Sequence, residues 1–399
     1  MTSTFCGFDV QETSTYEKIN KFRMNMLNKT GNRTNSLQFE SIKAPGEALR
    51  LCNMENSSVL KLRGLSNTKG VSTYDCTEII GGLVNFGNSC YMNSVIQCLR
   101  CVAPLVSYFI KGNHYKDINR SSLYMGSLAR EIGSAFCRMT TEEAGSVTLR
   151  ALKNIIAEHH FQFVGNNQHD AHEFLIFLLN GLHEDLKGGN LDLHVPGVNS
   201  PIITEKRDNR EISIISSLFQ GEHSHVVICS NCSSESVSHE LFTVLTLSLP
   251  SRGNYSLMSL LRYHYDSCIV DYNCPACSRK VRSSRKTYIN KLPRYLIFHL
   301  NRFEYIMSAR KKSNYIDFPK EKLGLKEFTS EGCKLHSYNL LSVSNHNGNM
   351  NNGHYTSYCK SLKNNIWYLG DDNNISKLKT SVSTSLAYLL VYNSMHIYR

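Results

Sequence analysis

The sequence predicts an α+β fold, with a helical first half and a strand-rich second half enclosing a cleft. Three observations predict it. Apolar residues recur at helical spacing through much of 81–186, they shift to strand patterns from about residue 212, and two short cysteine pairs interrupt the strand region. Residues 1–80 belong to neither half. They are rich in Ser, Thr, Asn and Lys, and "NKTGNRTNS" reads as loop. They are expected to form a largely disordered N-terminal extension, with the folded domain over 81–396.

Composition narrows the classes of function. At 41% hydrophobic and 19% charged residues, most of the chain should be globular. Its start has no apolar core of signal-peptide length, and the longest apolar run, "FLIFLL", is too short to cross a bilayer. No transmembrane segment is expected. Fourteen cysteines without a secretory signal read as thiols and metal ligands in an intracellular, cytoplasmic protein, with endosomal or nuclear association left open. The net charge of +11 is scattered through small clusters such as "RKVRSSRK", so it reads as a solvated surface rather than a nucleic-acid site.

The first helix follows a turn in "GLVNFGNSCYMNSVIQCLRC". Cys90 comes after Gly87, Asn88 and Ser89, and Met92, Val95, Ile96, Leu99 and Val102 then recur at helical spacing. A thiol at a helix start sits among unpaired N–H groups and the positive end of the dipole. That setting favours the thiolate and makes Cys90 a candidate nucleophile, with a small buried hydrophobe as the alternative and no base in view from this stretch. A later helix, "AHEFLIFLLNGLHEDL", starts beside Asp170 and Glu173, acids that suit its dipole. His169 and His172 lack the H-E-x-x-H pattern and are not read as metal ligands.

Strand patterns follow in "HSHVVICS", "LFTVLTLSLP", "KTYINKLPRYLIFHL", "HYTSYCK", "NIWYLGDD" and "SLAYLLVYNS". The pairs Cys229/Cys232 and Cys274/Cys277 each form a C-x-x-C knuckle. Two such knuckles can present four thiolates to one tetrahedral Zn²⁺, a closed structural site with no open position for water. His354 follows a Gly/Asn loop and heads an alternating strand, a suitable mount for a base. Asp371 and Asp372 end a second short strand, and one of them should sit beside the imidazole to fix its tautomer. Side chains at a strand end alternate, so only one should reach. The order Cys, His, Asp, with Cys on a helix and the others on strands, is the papain-type arrangement, with the cysteine-pair region inserted between its lobes.

These segments resemble the ubiquitin-specific proteases. "GLVNFGNSCYMNSVIQCL" is similar to their cysteine box, "HSYNLLSVSNHNGNMNNGHYTSYCK" with "WYLGDD" to their histidine box, and "NNQHDAHEFLIFLLNGLHEDL" to the box between. The resemblance implies a papain-like thumb, palm and fingers architecture, with zinc-binding fingers at about 212–290. It implies a thiol-dependent hydrolase cleaving the isopeptide bond after ubiquitin's C-terminal glycine. Cys90 would be nucleophile, His354 general base, Asp371 the orienting acid and Asn85 an oxyanion donor. Asp170 and Tyr355 would hold the ubiquitin tail, and ubiquitin and ubiquitinated proteins would be the partners. Four positions depart from the pattern: Ser89 for Thr, His169 for the second Gln of Gln-Gln-Asp, Asn301 for Lys, and Gly370 for the Phe before the acid pair. A glycine there would let the backbone rotate and loosen the Asp371 mount. The rival within the same fold is an inactive ubiquitin-binding module, and a zinc-dependent nucleic-acid binder is a more distant one.

Overall fold

The computed structural model describes residues 81–141, 147–188, 212–250, 253–305, 309–334, 336–349 and 352–395. The expected N-terminal extension lies outside them.

Helix α1 (Cys90–Arg100) is buried along its whole length. Its apolar residues Met92, Val95, Ile96 and Leu99 are at most 2% exposed, as a core helix requires. Its polar residues are buried too, and most find fixed partners: Ser94 meets Ser344 and Gln97 donates to the Gly81 carbonyl. Helices α2 (Ala103–Ile110), α3 (Ser127–Thr141), α4 (Arg150–His159) and α5 (Ala171–Leu186), with the short parallel pair β1 (Leu83–Val84) and β2 (Val147–Thr148), complete the helical lobe. Leu105, Phe109, Ile132, Phe136, Phe174 and Leu178 belong to its core. No single described helix is long and apolar enough to cross a membrane, and the apolar pair α1–α2 is bent by 94°.

The second lobe is built on an eight-stranded sheet. Its strands include β5 (Val244–Ser248), β8 (Tyr295–Asn301), β9 (Ser337–Gly348), β10 (Gly353–Lys360), β11 (Trp367–Asp371), β12 (Asn374–Lys377) and β13 (Ala387–Met395). They run in the order β12-β11-β10-β9-β13-β8-β5, with Leu323–Gly324 added beside β9. β8 is apolar except for His299 and its last residue Asn301, and it is buried at both faces, as a central strand should be. Leu245, Leu247, Leu296, Phe298, Leu340 and Leu390 belong to a second core.

A separate four-stranded antiparallel sheet forms the fingers, in the order β4 (Glu235–Phe242), β3 (Gly221–Ile228), β7 (Arg279–Lys291), β6 (Cys268–Cys274). The chain leaves it between β4 and β6 to place β5 in the large sheet. The first cysteine pair follows β3, and the second begins at Cys274, the last residue of β6, and ends at Cys277 in the turn to β7. Pairings Ile228↔Ser284 and Cys274↔Arg279 carry both pairs to the same end. Fingers, palm sheet and helical thumb are the layout expected for a papain-like fold with an insertion.

Candidate active site

The loop before α1 is fixed by its own polar side chains. Ser89 N and Oγ both donate to Asn85 Oδ1 at 3.2 Å. That orients the amide so that Asn85 Nδ2 donates to Asp372 Oδ2 at 2.9 Å. One Nδ2 proton is therefore left over, on an exposed side chain. Gly87 turns the chain at φ +129, where other residues would be strained. Asn88 Nδ2 donates to the Asn166 carbonyl at 2.7 Å and ties this turn to the loop before α5.

α1 begins at Cys90, as its turn chemistry predicts. Burial opposes the expected preference for the thiolate. Cys90 is 4% exposed, and burial pushes its thiol above the ordinary range, with the Asp372 charge adding to the rise. Backbone N–H groups of Tyr355, Tyr91 and Cys90 itself work the other way and are outweighed. Desolvation of this kind arises from tertiary packing, and no local sequence pattern reveals it.

His354 stands near the start of β10, and its Nε2 meets Asp371 Oδ1 at 2.7 Å. Because the Tyr355 N–H reaches the Cys90 sulfur, the thiol lies beside the very next residue. Asp371 ends β11 and Asp372 opens a two-residue turn to β12, closed by the Asp371↔Asn374 pair. The expectation that the two carboxylates face opposite sides is corrected here. Asp372 is left-handed, φ +50, and alternation holds only for extended residues. Its Oδ2 lies 3.9 Å from His354 Nε2, on the same side as Asp371. Asp371 is the nearer, while Asp372 accepts from Asn85 and, through Oδ1 at 2.8 Å, from Asn93.

Gly370 does not loosen the mount. It lies in regular strand, paired with Ser357 on one side and Ile375 on the other. A Cβ there would come within 2.6 Å of Ser357 Oγ, so glycine suits the packing. Gly82 is more tightly constrained. Its Cβ position lies 2.2 Å from the Asn373 carbonyl oxygen, and Leu83 N donates to the Asp372 carbonyl at 2.9 Å. The segment before α1 therefore rests directly on the acid-bearing turn.

Asp170 caps α5, with Oδ1 accepting from His172 N at 2.6 Å and Glu173 N at 3.2 Å, and Oδ2 from the Tyr388 hydroxyl. Tyr355 is buried against His346 and Tyr388, and its hydroxyl accepts from Ala171 N. The two residues thus meet at the head of α5, where helical lobe and sheet join. The sequence alone gives Asn93 and Gln168 no role. Asn93 bridges Asp372 to the Leu83 carbonyl, and Gln168 Oε1 accepts from Gly353 N at 2.9 Å, next to His354. Polar residues on an otherwise apolar helix, such as Asn93, Ser94 and Gln97, were the available signal.

In the fingers, Cys229, Cys232, Cys274 and Cys277 bring their sulfurs within 4.8 Å of one another. The Cys229–Cys277 and Cys232–Cys274 separations are 3.9 and 3.7 Å. A tetrahedral Zn²⁺ with ~2.3 Å bonds needs sulfurs about 3.8 Å apart, so the residues fit. Each knuckle is followed by a left-handed serine, Ser233 at φ 56 and Ser278 at φ 52, which turns the chain away. Asn231 Nδ2 also donates to Cys277 Sγ.

A helix-borne cysteine facing a strand-borne His–Asp pair across two lobes is the arrangement of a papain-like thiol hydrolase. More particularly, the chain belongs to the ubiquitin carboxyl-terminal hydrolase family, whose model matches residues 81–392. It is 34% identical to ubiquitin carboxyl-terminal hydrolase 2 of Bos taurus, over 78% of this chain and 55% of that one. With the Gallus gallus protein of the same name it shares 35% identity, over 78% of this chain and 92% of that one. The chain spans about half the length of the first, mammalian relatives it matches. Among solved structures, the SAGA Ubp8/Sgf11/Sus1/Sgf73 DUB module bound to ubiquitin aldehyde shares the fold. The TM-score is 0.67 at 21% identity, covering 87% of this chain and 76% of that one.

Proposed function

We propose that this protein is a deubiquitinating thiol hydrolase that cleaves the isopeptide bond after the C-terminal glycine of ubiquitin. The observation that carries the reading is the meeting of three elements. The Cys90 thiol contacts the backbone beside His354, His354 is held through Nε2 by Asp371, and Asn85 is pinned with one N–H to spare. With Nε2 occupied, Nδ1 takes the thiol proton as sulfur attacks the glycine carbonyl. The Asn85 N–H stabilises the oxyanion. Collapse of the intermediate breaks the C–N bond, and the imidazolium gives its proton to the departing lysine amine. Water then attacks the thioester with His354 as base, releasing ubiquitin and restoring the thiol.

Asp170 and Tyr355, at the lobe junction, are the proposed contacts for the ubiquitin tail. Zn²⁺ held by the four finger cysteines would supply rigidity and no chemistry, since four thiolates complete its coordination. Ubiquitin and ubiquitinated proteins are the proposed partners, as the ubiquitin-bound Ubp8 structures and the names of the relatives support. The cytoplasm is the proposed setting, since fourteen cysteines with two C-x-x-C metal knuckles suit a reducing compartment. The test is hydrolysis of a fluorogenic ubiquitin C-terminal amide by wild type and Cys90→Ala, with a ubiquitin probe bearing a C-terminal electrophile. Wild type should turn over and label at Cys90 alone. Turnover retained in Cys90→Ala would refute the mechanism, and ubiquitin binding without turnover in wild type would favour the inert module.

A further inference from the structure

β9 runs further than its neighbour β13. Their pairing ends at Asn345↔Ala387 and one further bond from His346 N to the Leu386 carbonyl, so beyond it β9 has no strand on that side, while its other side stays paired with β10 as far as Gly348↔Gly353. A side chain takes the place of that strand. Lys311, from the hairpin formed by Phe303–Tyr305 and Ala309–Lys311, donates through Nζ to the carbonyls of His346 at 2.6 Å and Gly348 at 3.1 Å. The residue between those two acceptors is Asn347, the cross-strand partner of His354. Lys311 thus grips the backbone on both sides of the mount of the imidazole.

The choice of a lysine is costly unless the charge is used. Among the described residues the Lys311 ammonium is in no ion pair, and its hydrogen-bond partners are the two carbonyls. Burial, helped by the nearby Arg302 charge, pushes its ammonium down to about 8, which leaves it protonated at neutral pH. Charge-assisted bonds to backbone carbonyls are stronger than neutral ones, and here they act on the short hairpin end that carries His354. From the helical lobe, Gln168 holds the opposite strand of that end through Gly353 N.

We propose that Lys311 is a positioning residue for the reaction, holding the His354-bearing hairpin in register through the backbone of Asn347. The inference rests on the reading of His354 as general base. It predicts a loss in turnover with substrate binding retained, which a merely structural bond would not produce.

The experiment compares wild type, Lys311→Met, Lys311→Gln and Lys311→Arg by steady-state hydrolysis of the fluorogenic ubiquitin amide and by amide hydrogen exchange. Lys311→Met should lower kcat by about tenfold, the worth of one charge-assisted bond, with KM nearly unchanged. Amides of residues 345–349 and 352–356 should exchange faster while α1 and α5 keep their protection. Lys311→Arg should restore most of both, and Lys311→Gln, able to reach one carbonyl, should fall between. Unchanged hairpin exchange in folded Lys311→Met or Lys311→Gln would overturn the proposal, as would faster exchange with undiminished kcat. Wild type that fails to hydrolyse ubiquitin would refute the functional reading instead, and exchange alone would then decide whether Lys311 anchors the hairpin.

Discussion

Replacing Asp372 by Asn tests how the acid pair divides its work. The Asp372 carboxylate accepts from two amide N–H₂ groups, Asn85 at 2.9 Å and Asn93 at 2.8 Å. An asparagine there offers one oxygen, so one of those groups must face another N–H₂. Each hydrogen bond to a charged group contributes about 1.5–3 kcal/mol. Release of Asn85 would go further towards loss of an oxyanion donor, which costs about 10²–10³ in kcat. Asp371→Asn should be milder. Its amide oxygen still accepts from the imidazole, and the Asp371 side chain is 47% exposed, so its charge is screened. That loss is about 1 kcal/mol, roughly fivefold. Steady-state hydrolysis of fluorogenic ubiquitin should therefore give kcat in the order wild type, Asp371→Asn, Asp372→Asn, with KM little changed. A larger kcat loss in Asp371→Asn would refute the argument, and so would a change in KM alone for Asp372→Asn.

Three further outcomes are expected. Alkylation of resting Cys90 by iodoacetamide should keep accelerating as pH rises past the ordinary thiol pKa of about 8.5, because burial raises it; a rate plateau near neutral pH would reveal a preformed thiolate. Metal analysis should find one equivalent of zinc, and Cys274→Ser should lose it together with the stability of the fingers; an unchanged melting curve in metal-free protein would count against the four-cysteine site. Gly82→Ala should destabilise by about 1–3 kcal/mol, since its Cβ would sit 2.2 Å from the Asn373 oxygen, and should also reduce kcat by moving the acid turn; thermal melts and kinetics equal to wild type would show that the two segments are not in contact.

Much of the site was legible in the sequence because its parts are local. The Gly87–Ser89 turn and the apolar spacing after it determine where α1 starts, and hence that Cys90 opens it. The C-x-x-C spacing determines two knuckles, and the alternation after His354 determines its strand. Each depends on residues within a few positions of one another. Tertiary structure decided the rest. Asn85 and Asp372 are 287 residues apart, and their bond exists only because the segment before α1 packs on the acid turn. The elevation of the Cys90 thiol comes from burial between the lobes, and the buried polar face of α1 from packing on both sides. Lys311 reads in sequence as one of three adjacent cations, and becomes a backbone clamp only where β9 outruns β13. Periodicity and turn chemistry encode short-range geometry, whereas desolvation and carbonyls left without a strand arise only when distant segments meet.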